Sequence, residues 1–219
     1  MSESDSFIDE VADEVRRDRL FALMRKYGWI AISAVVLIVG GASWNEWQKA
    51  RSQAVAEAFG DAVLAAMASD DAKARLAALA GVSAGDAPGR AAVLGFLTAA
   101  EAETAGNRDA ALSALAAIAE NPKIADSYRQ LATLKSVILS GDKMDASTRD
   151  TTLNALAAPG APFRALAMEQ QALALLSAGK TDEAATLLAQ IKEDADATPA
   201  LQSRVEQVLV ALGKGAATE

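Results

Sequence analysis

The sequence predicts an all-α protein: a single N-terminal transmembrane helix followed by a solenoid of stacked helical hairpins. Three observations carry this. Residues 27–45 (YGWIAISAVVLIVGGASWN) hold no charge, and nineteen residues at about 1.5 Å each make roughly 28 Å of helix, close to a hydrocarbon core. The rest of the chain is alanine-rich, with 53 Ala in 219 residues; alanine pairs high helix propensity with a small side chain and suits closely packed antiparallel helices. Turn residues, finally, recur after helical stretches at nearly constant separations.

The flanks of the apolar stretch predict its direction. Arg16, Arg17, Arg19, Arg25 and Lys26 precede it, whereas Glu46 comes before Lys49 and Arg51 on the far side. Lys and Arg are retained in the cytoplasm, so the N-terminus is expected inside, and the acidic residues of the tail weigh little in this rule. Tyr27 and Trp29 mark one membrane interface, Trp44 and Trp47 the other. A cleaved signal peptide competes with this reading, because Gly40-Gly41-Ala42-Ser43 would suit a small-residue cleavage site. Against it stand the acidic leader before Tyr27 and an apolar run longer than the usual signal core. A buried core helix of a soluble protein is the other alternative, but aromatic girdles and a one-sided basic approach are foreign to it.

Residues 1–26 read as a partly helical cytoplasmic tail. Val11 and Val15 lie one turn apart, and Asp5 or Ser6 can cap, so the segment reads either as a short amphipathic helix or as a solvated tail that only sets orientation. Past the span, residues 46–69 read as a helical stalk entering the outer domain. Ala54, Ala58, Phe59, Val63, Ala66 and Met67 recur there at three- and four-residue spacings, with Gly60 a weak point.

Residues 70–213 divide into helices at turn signals, leaving 214–219 as a disordered tail. Asp70 or Asp71 caps a helix ending near Gly81, and a turn over 82–88 leads to a helix from Pro88 to Ala105. Gly106-Asn107 turns the chain into Asp109–Glu120, and Asn121-Pro122 ends that unit. The spacing predicts further helices over Ile124–Ser140, Ser147–Ala157, Phe163–Ala178 and Thr181–Lys192, divided by Gly141-Asp142, by the corner Pro159-Gly160-Ala161-Pro162 and by Gly179-Lys180. Thr198-Pro199 opens the last helix, which fades near Gly213.

These turns repeat. Gly106, Gly141 and Gly179 each join two helices, at separations of 35 (141 − 106) and 38 (179 − 141). The period is near the 34 residues of tetratricopeptide repeats, in which an antiparallel helix pair cannot bury its apolar faces alone and stacks on its neighbour. Residues 107–115 (NRDAALSAL) and 180–188 (KTDEAATLL) share a pattern: polar residues open the helix, two alanines permit close approach, and leucines plug the interface.

Composition excludes several functions. A net charge of −8 and a pI of about 4.7 disfavour nucleic-acid binding. The absence of Cys and His removes disulfides, thiolate chemistry, the commonest general base and the commonest metal ligand. No Gly-rich phosphate loop, Gly-x-Ser-x-Gly elbow or Glu-x-x-His pair is present. The chain therefore reads as no enzyme, with no cofactor and no metal. Small residues in the span leave a homo-oligomer open, although no Gly-x-x-x-Gly pair lies within it.

The order of tail, anchor and helical outer domain, together with the run from Ala172 to Ala184 (ALALLSAGKTDEA) and Thr198-Pro199-Ala200-Leu201, resembles the ancillary SecYEG translocon subunit (YfgM-like) family over nearly all of the chain. The shorter alanine-heavy repeats and the Arg-rich acidic tail look like an alphaproteobacterial branch. The resemblance implies a tetratricopeptide-like outer domain in the periplasm of a bacterial inner membrane. It also implies association with the SecYEG translocon and periplasmic chaperones during protein export rather than catalysis. Contact with such partners is expected on first-helix residues, with candidates Phe96, Glu101, Tyr128, Gln130, Arg164, Met168 and Gln171; taken singly, Phe96 and Tyr128 read as core before contact, because large side chains are scarce here and the core needs them. A non-catalytic scaffold of cell-envelope or division complexes is the alternative, since helix-pair repeats are generic adaptors.

Overall fold

The computed structural model describes residues 3–214, with the side chains of Arg17, Phe21 and then all from Met24 onward except Ala31. The side chains of Arg16 and Arg19 and the expected tail beyond Lys214 lie outside the described residues. The chain divides into two compact units, Met1–Ala58 and Phe59–Glu219. Among the described residues there are α-helices and one 3-10 turn but no strand, so the protein is all-α.

The first unit consists of the greater part of one helix, α1 (Glu3–Ala66), which runs without a break through the apolar stretch and past Trp47. Within Met24–Ala66 it is long and apolar enough to cross a membrane, and none of that apolar window is buried. A core helix of a soluble domain would have its apolar face covered; from Met24 to Ala50 every described residue is exposed except half-buried Gly28.

The second unit begins with the last turns of α1 and continues through α2 (Ala72–Leu79), α3 (Pro88–Thr104), α4 (Arg108–Ala119) and α5 (Asp126–Ser140). A 3-10 turn (Gly141–Lys143) then precedes α6 (Ala146–Leu156), α7 (Arg164–Ser177), α8 (Thr181–Lys192) and α9 (Pro199–Ala211). From α2 onward each helix packs on the next in sequence, and the core is three clusters in a row rather than one: around α3 and α4, around α5 and α6, and around α7 to α9. Nearest-neighbour packing of this kind is the signature of a solenoid.

Local chemistry explains the boundaries. Three of the second helices open on capping side chains: the Ala74 amide donates to Asp71 (3.0 Å), the Ala110 amide to Asn107 (3.1 Å) and the Thr148 amide to Asp145 (2.9 Å). Two first helices, α3 and α7, end in left-handed glycines, Gly106 at φ +74° and Gly179 at φ +75°. There the Asn107 and Lys180 amides reach back five residues to the carbonyls of Ala102 and Leu175, the Schellman closure that only glycine permits without strain. Asp71 rather than Asp70 is the cap of α2. Helix α5 starts at Asp126, not Ile124: the Asn121 side chain and carbonyl accept the amides of Lys123 and Ile124 and hold a turn, which drops Ile124 into the α3/α4 core.

Aligned on the second-helix N-caps, residues 71, 107, 145 and 180, the repeat has spacings of 36 (107 − 71), 38 (145 − 107) and 35 (180 − 145). Gly141 is therefore not the equivalent of Gly106. It sits four residues before its cap instead of one, because the 3-10 turn is inserted there. In this register the eighth residue after each cap is Leu79, Leu115, Leu153 or Leu188, all no more than 3% exposed. The fourth is Arg75, Ala111, Arg149 or Ala184, and both alanines are fully buried. Small residues at that position let α4 and α8 lie close against their partners. Helix α6 carries Arg149 instead and has far fewer close backbone approaches to α5 and α7 than α4 has to α3 and α5. Helices α3 and α4 also approach closely at Gly95, where a Cβ would come within 2.8 Å of Ile118.

Leu153→Ala and Leu188→Ala should each lower stability by about 3 kcal/mol in urea denaturation of the full chain, whereas exposed Leu173→Ala should stay within roughly 0.5 kcal/mol of wild type. The Asp145 carboxylate is held below its ordinary pKa by hydrogen bonds, first from the Ser147 hydroxyl and then from the Thr148 amide and hydroxyl. A lowered folded pKa contributes stability that is complete above the unfolded value and lost as pH falls through the folded one. The advantage of wild type over Asp145→Ala should therefore hold at neutral pH and fade below about pH 4, the ordinary Asp range, as read from denaturation midpoints at stepped pH.

Candidate functional site

Two features are candidates for contact with other molecules: the exposed apolar length of α1 and the grooves between first helices. On α1, Tyr27, Trp29, Trp44 and Trp47 are all exposed, and the seventeen steps from Tyr27 to Trp44 span about 26 Å of helix. Trp44 and Trp47 pack with ring centroids 5.2 Å apart, and the Arg51 guanidinium lies 5.7 Å from the Trp47 centroid. At the other end Lys26 Nζ stands 5.4 Å from the Tyr27 centroid. An aromatic ring with a cation just outside it is the side-chain pair that suits a headgroup layer, the ring at the apolar boundary and the charge in water. Arg17 and Arg25 lie farther out on the same N-terminal side.

In the second unit the first helices of successive pairs leave grooves between them. One of about 360 Å³ lies between α3 and α5, lined by Phe96, Ala99, Glu103, Lys135 and Ile138 and floored by α4 through Leu115. The next, about 110 Å³, lies between α5 and α7 over Leu153 of α6, with Ile138 and Leu173 on its walls. Ile138 is 51% and Leu173 41% exposed. Both stand seven residues before a second-helix cap (145 − 138 and 180 − 173), so the repeat places them at equivalent positions.

The expected contact residues are distributed unevenly. Phe96 is half-buried in the first groove, with the exposed Tyr128 ring centroid 6.4 Å away. Gln130 is half-buried and donates to Asp126 on its own helix. Arg164 pairs with Asp194 and ties the start of α7 to the turn after α8. Gln171 bonds Asn154 at 2.8 Å, linking α7 to α6 away from the grooves. Glu101 and Met168 are only 8% and 5% exposed: Glu101 accepts a 2.7 Å hydrogen bond from Arg75, and Met168 belongs to the α7–α9 core. Neither presents a surface to a partner. The groove residues Ile138, Leu173 and Lys135 are absent from the sequence-based candidates; counting back from the second-helix caps is the signal that finds the first two.

Glu169 is a second buried carboxylate. It stands eleven residues before Lys180, where the preceding pairs have Phe96 and Leu134, and it is satisfied by two hydrogen bonds from Arg204 on α9, at 2.5 and 2.8 Å. The same hydrogen bonding raises the Arg204 pKa above its ordinary value, so the guanidinium is charged at every accessible pH.

These features define a class, the helical-repeat proteins whose stacked pairs bury one another and expose grooves between first helices. Residues 24–213 match the family model described as a tetratricopeptide repeat-like domain, and the chain belongs to that family. Folds of this family are typically non-catalytic scaffolds for protein–protein interaction. No curated protein and no solved structure matches the chain.

Arg204→Met strands the Glu169 carboxylate and should lower stability by roughly 2 kcal/mol. The double variant Glu169→Leu/Arg204→Met should return close to wild type, because Leu134 already fills the equivalent position of the preceding pair; a double-mutant cycle by denaturation reads both.

Proposed function

We propose that the chain is a single-pass inner-membrane protein whose repeat domain docks polypeptide partners during protein export. In this reading the N-terminal tail is cytoplasmic, residues 27–45 stay in the bilayer as a permanent anchor, and the repeats stand in the periplasm. The SecYEG translocon and periplasmic chaperones are the partners, and the chain performs no catalysis. The observation that carries the reading is the apolar grooving between first helices in a protein that also has a membrane-length helix with aromatic belts. A groove walled by Ile138 and Leu173 offers water-exposed apolar area that an extended segment or an amphipathic helix would cover. Tethering such a groove to the membrane raises its effective concentration near emerging polypeptides without any new contact. The basic residues before the span support the orientation, and the resemblance to the ancillary translocon family supports the choice of partners.

In cells, a photocrosslinking residue at position 138 or 173 should trap translocon or chaperone subunits, and one at exposed Asp109 on α4 should not. A variant without residues 59–219 should stay in the membrane after alkaline extraction. Adducts formed only through the N-terminal tail, or a mature protein beginning after Ala42, would overturn the proposal.

A further inference from the structure

The repeat register exposes an arginine without the partner that its counterpart has. At the fourth position after the cap, Arg75 of α2 reaches across to the next first helix and donates from Nε to Glu101 at 2.7 Å, with both side chains largely buried. Arg149 occupies the same position in α6. Glu101 stands six residues before the following cap, Asn107; six before Lys180 is Ala174. Arg149 and Ala174 line one cavity, so a methyl group stands where the earlier pair has a carboxylate.

That cavity has a volume of about 390 Å³ and is formed by α6, α7 and α8; it shares Arg149 and Ala174 with the α5–α7 groove. Its charged wall is Arg149, whose side chain is 23% exposed, with Lys180 and Asp150. Its apolar wall is Ala174, Leu175, Ala178 and Leu187, and the hydrogen-bonded amides of Asn154 and Gln171 close one side. Arg149 Nε and Nη2 both engage a single oxygen of Asp150, the next residue in sequence, at 3.0 Å, and that carboxylate is 59% exposed. A solvent-exposed pair of this kind is worth little, far less than a bidentate, desolvated carboxylate on the same guanidinium. Among the described residues Lys180 pairs with exposed Glu183 alone, at 3.3 Å. Helix α8 is also the one second helix among the described residues whose N-terminus has no capping side chain.

We infer that the α6–α8 cavity is a binding site for a carboxylate carried by a polypeptide next to an aliphatic side chain. The carboxylate replaces the missing counterpart of Glu101 on Arg149, with Lys180 adding positive charge, and the aliphatic group lies on Leu175, Ala178 and Leu187. An acidic side chain and the terminal carboxylate of a polypeptide present the same chemistry, and both fit the volume. The cavity shares Arg149 and Ala174 with the α5–α7 groove but not Ile138 or Leu173, so the acidic preference and the crosslinks proposed at 138 and 173 stand or fall separately.

The test uses the full-length protein in detergent micelles and fluorescent peptides in matched pairs: acetyl-Leu-Glu-Leu-amide against its Gln twin, and Gly-Gly-Leu with a free against an amidated C-terminus. At least one acidic member should bind about tenfold more tightly than its neutral twin, and which one does so identifies the source of the carboxylate. Arg149→Ala installs the residue that α4 and α8 already carry, so the fold should survive while the acidic preference disappears. Ala174→Glu should supply the missing carboxylate from within, abolishing the preference and raising the denaturation midpoint together. Asp150→Asn should tighten the acidic peptide. Equal binding of both members in each pair, or an acidic preference that persists in Arg149→Ala, would overturn the inference.

Discussion

A pair of alanine-rich helices cannot bury enough apolar surface to be stable alone, and the structure of the repeat domain follows from that shortage. Each pair exports part of its apolar face to the next, so the core becomes a row of clusters rather than a single centre. One leucine in each second helix, at residues 79, 115, 153 and 188, reaches into this row and is almost fully buried. The fourth position after the cap then decides how near the helices come. Alanine at 111 and 184 closes the gap, arginine at 149 holds it open, and a cavity appears beside α6 as a result. Packing density and binding surface are here two outcomes of one side-chain volume.

The buried carboxylates refine this arrangement. Glu101 and Glu169 are both buried, and each is satisfied by an arginine from another helix. Such a pair adds little net stability, since desolvation offsets most of the attraction. Its effect is on alternatives: a shifted stacking of α9 on α7 would leave Glu169 buried without Arg204. Repeats with similar alanine-leucine faces could otherwise pack in more than one order, and the charge pairs distinguish them.

Two kinds of exposed apolar surface separate the roles of the two units. On α1 the surface is continuous around the helix and bounded by aromatic rings with flanking cations, as a lipid environment requires. On the repeat domain it includes Ile138 and Leu173 on the walls of grooves between first helices, the first groove also lined by Glu103 and Lys135. Membership in the tetratricopeptide repeat-like family accords with the second.

Length, charge pattern and turn chemistry made the helical architecture readable from the residues alone. A nineteen-residue uncharged run, caps such as Asn107 and Thr198, and glycines at 106 and 179 act within a few residues of themselves, so the sequence by itself determined the anchor-length helix, most helix boundaries and the paired organisation. Nonlocal competition decided the rest. Ile124 left its expected helix because the α3/α4 core accepts it and Asn121 holds the turn. The inserted 3-10 turn after α5 shifted the repeat register by three residues, hiding the equivalence of Ile138 with Leu173 and of Arg149 with Ala111 and Ala184. Whether Glu101 and Met168 face a partner or the interior depends on which neighbour lies across from them, and helical periodicity gives a buried stripe without naming what covers it. Only the packed structure could show that one arginine had found its carboxylate while its counterpart faced a methyl group.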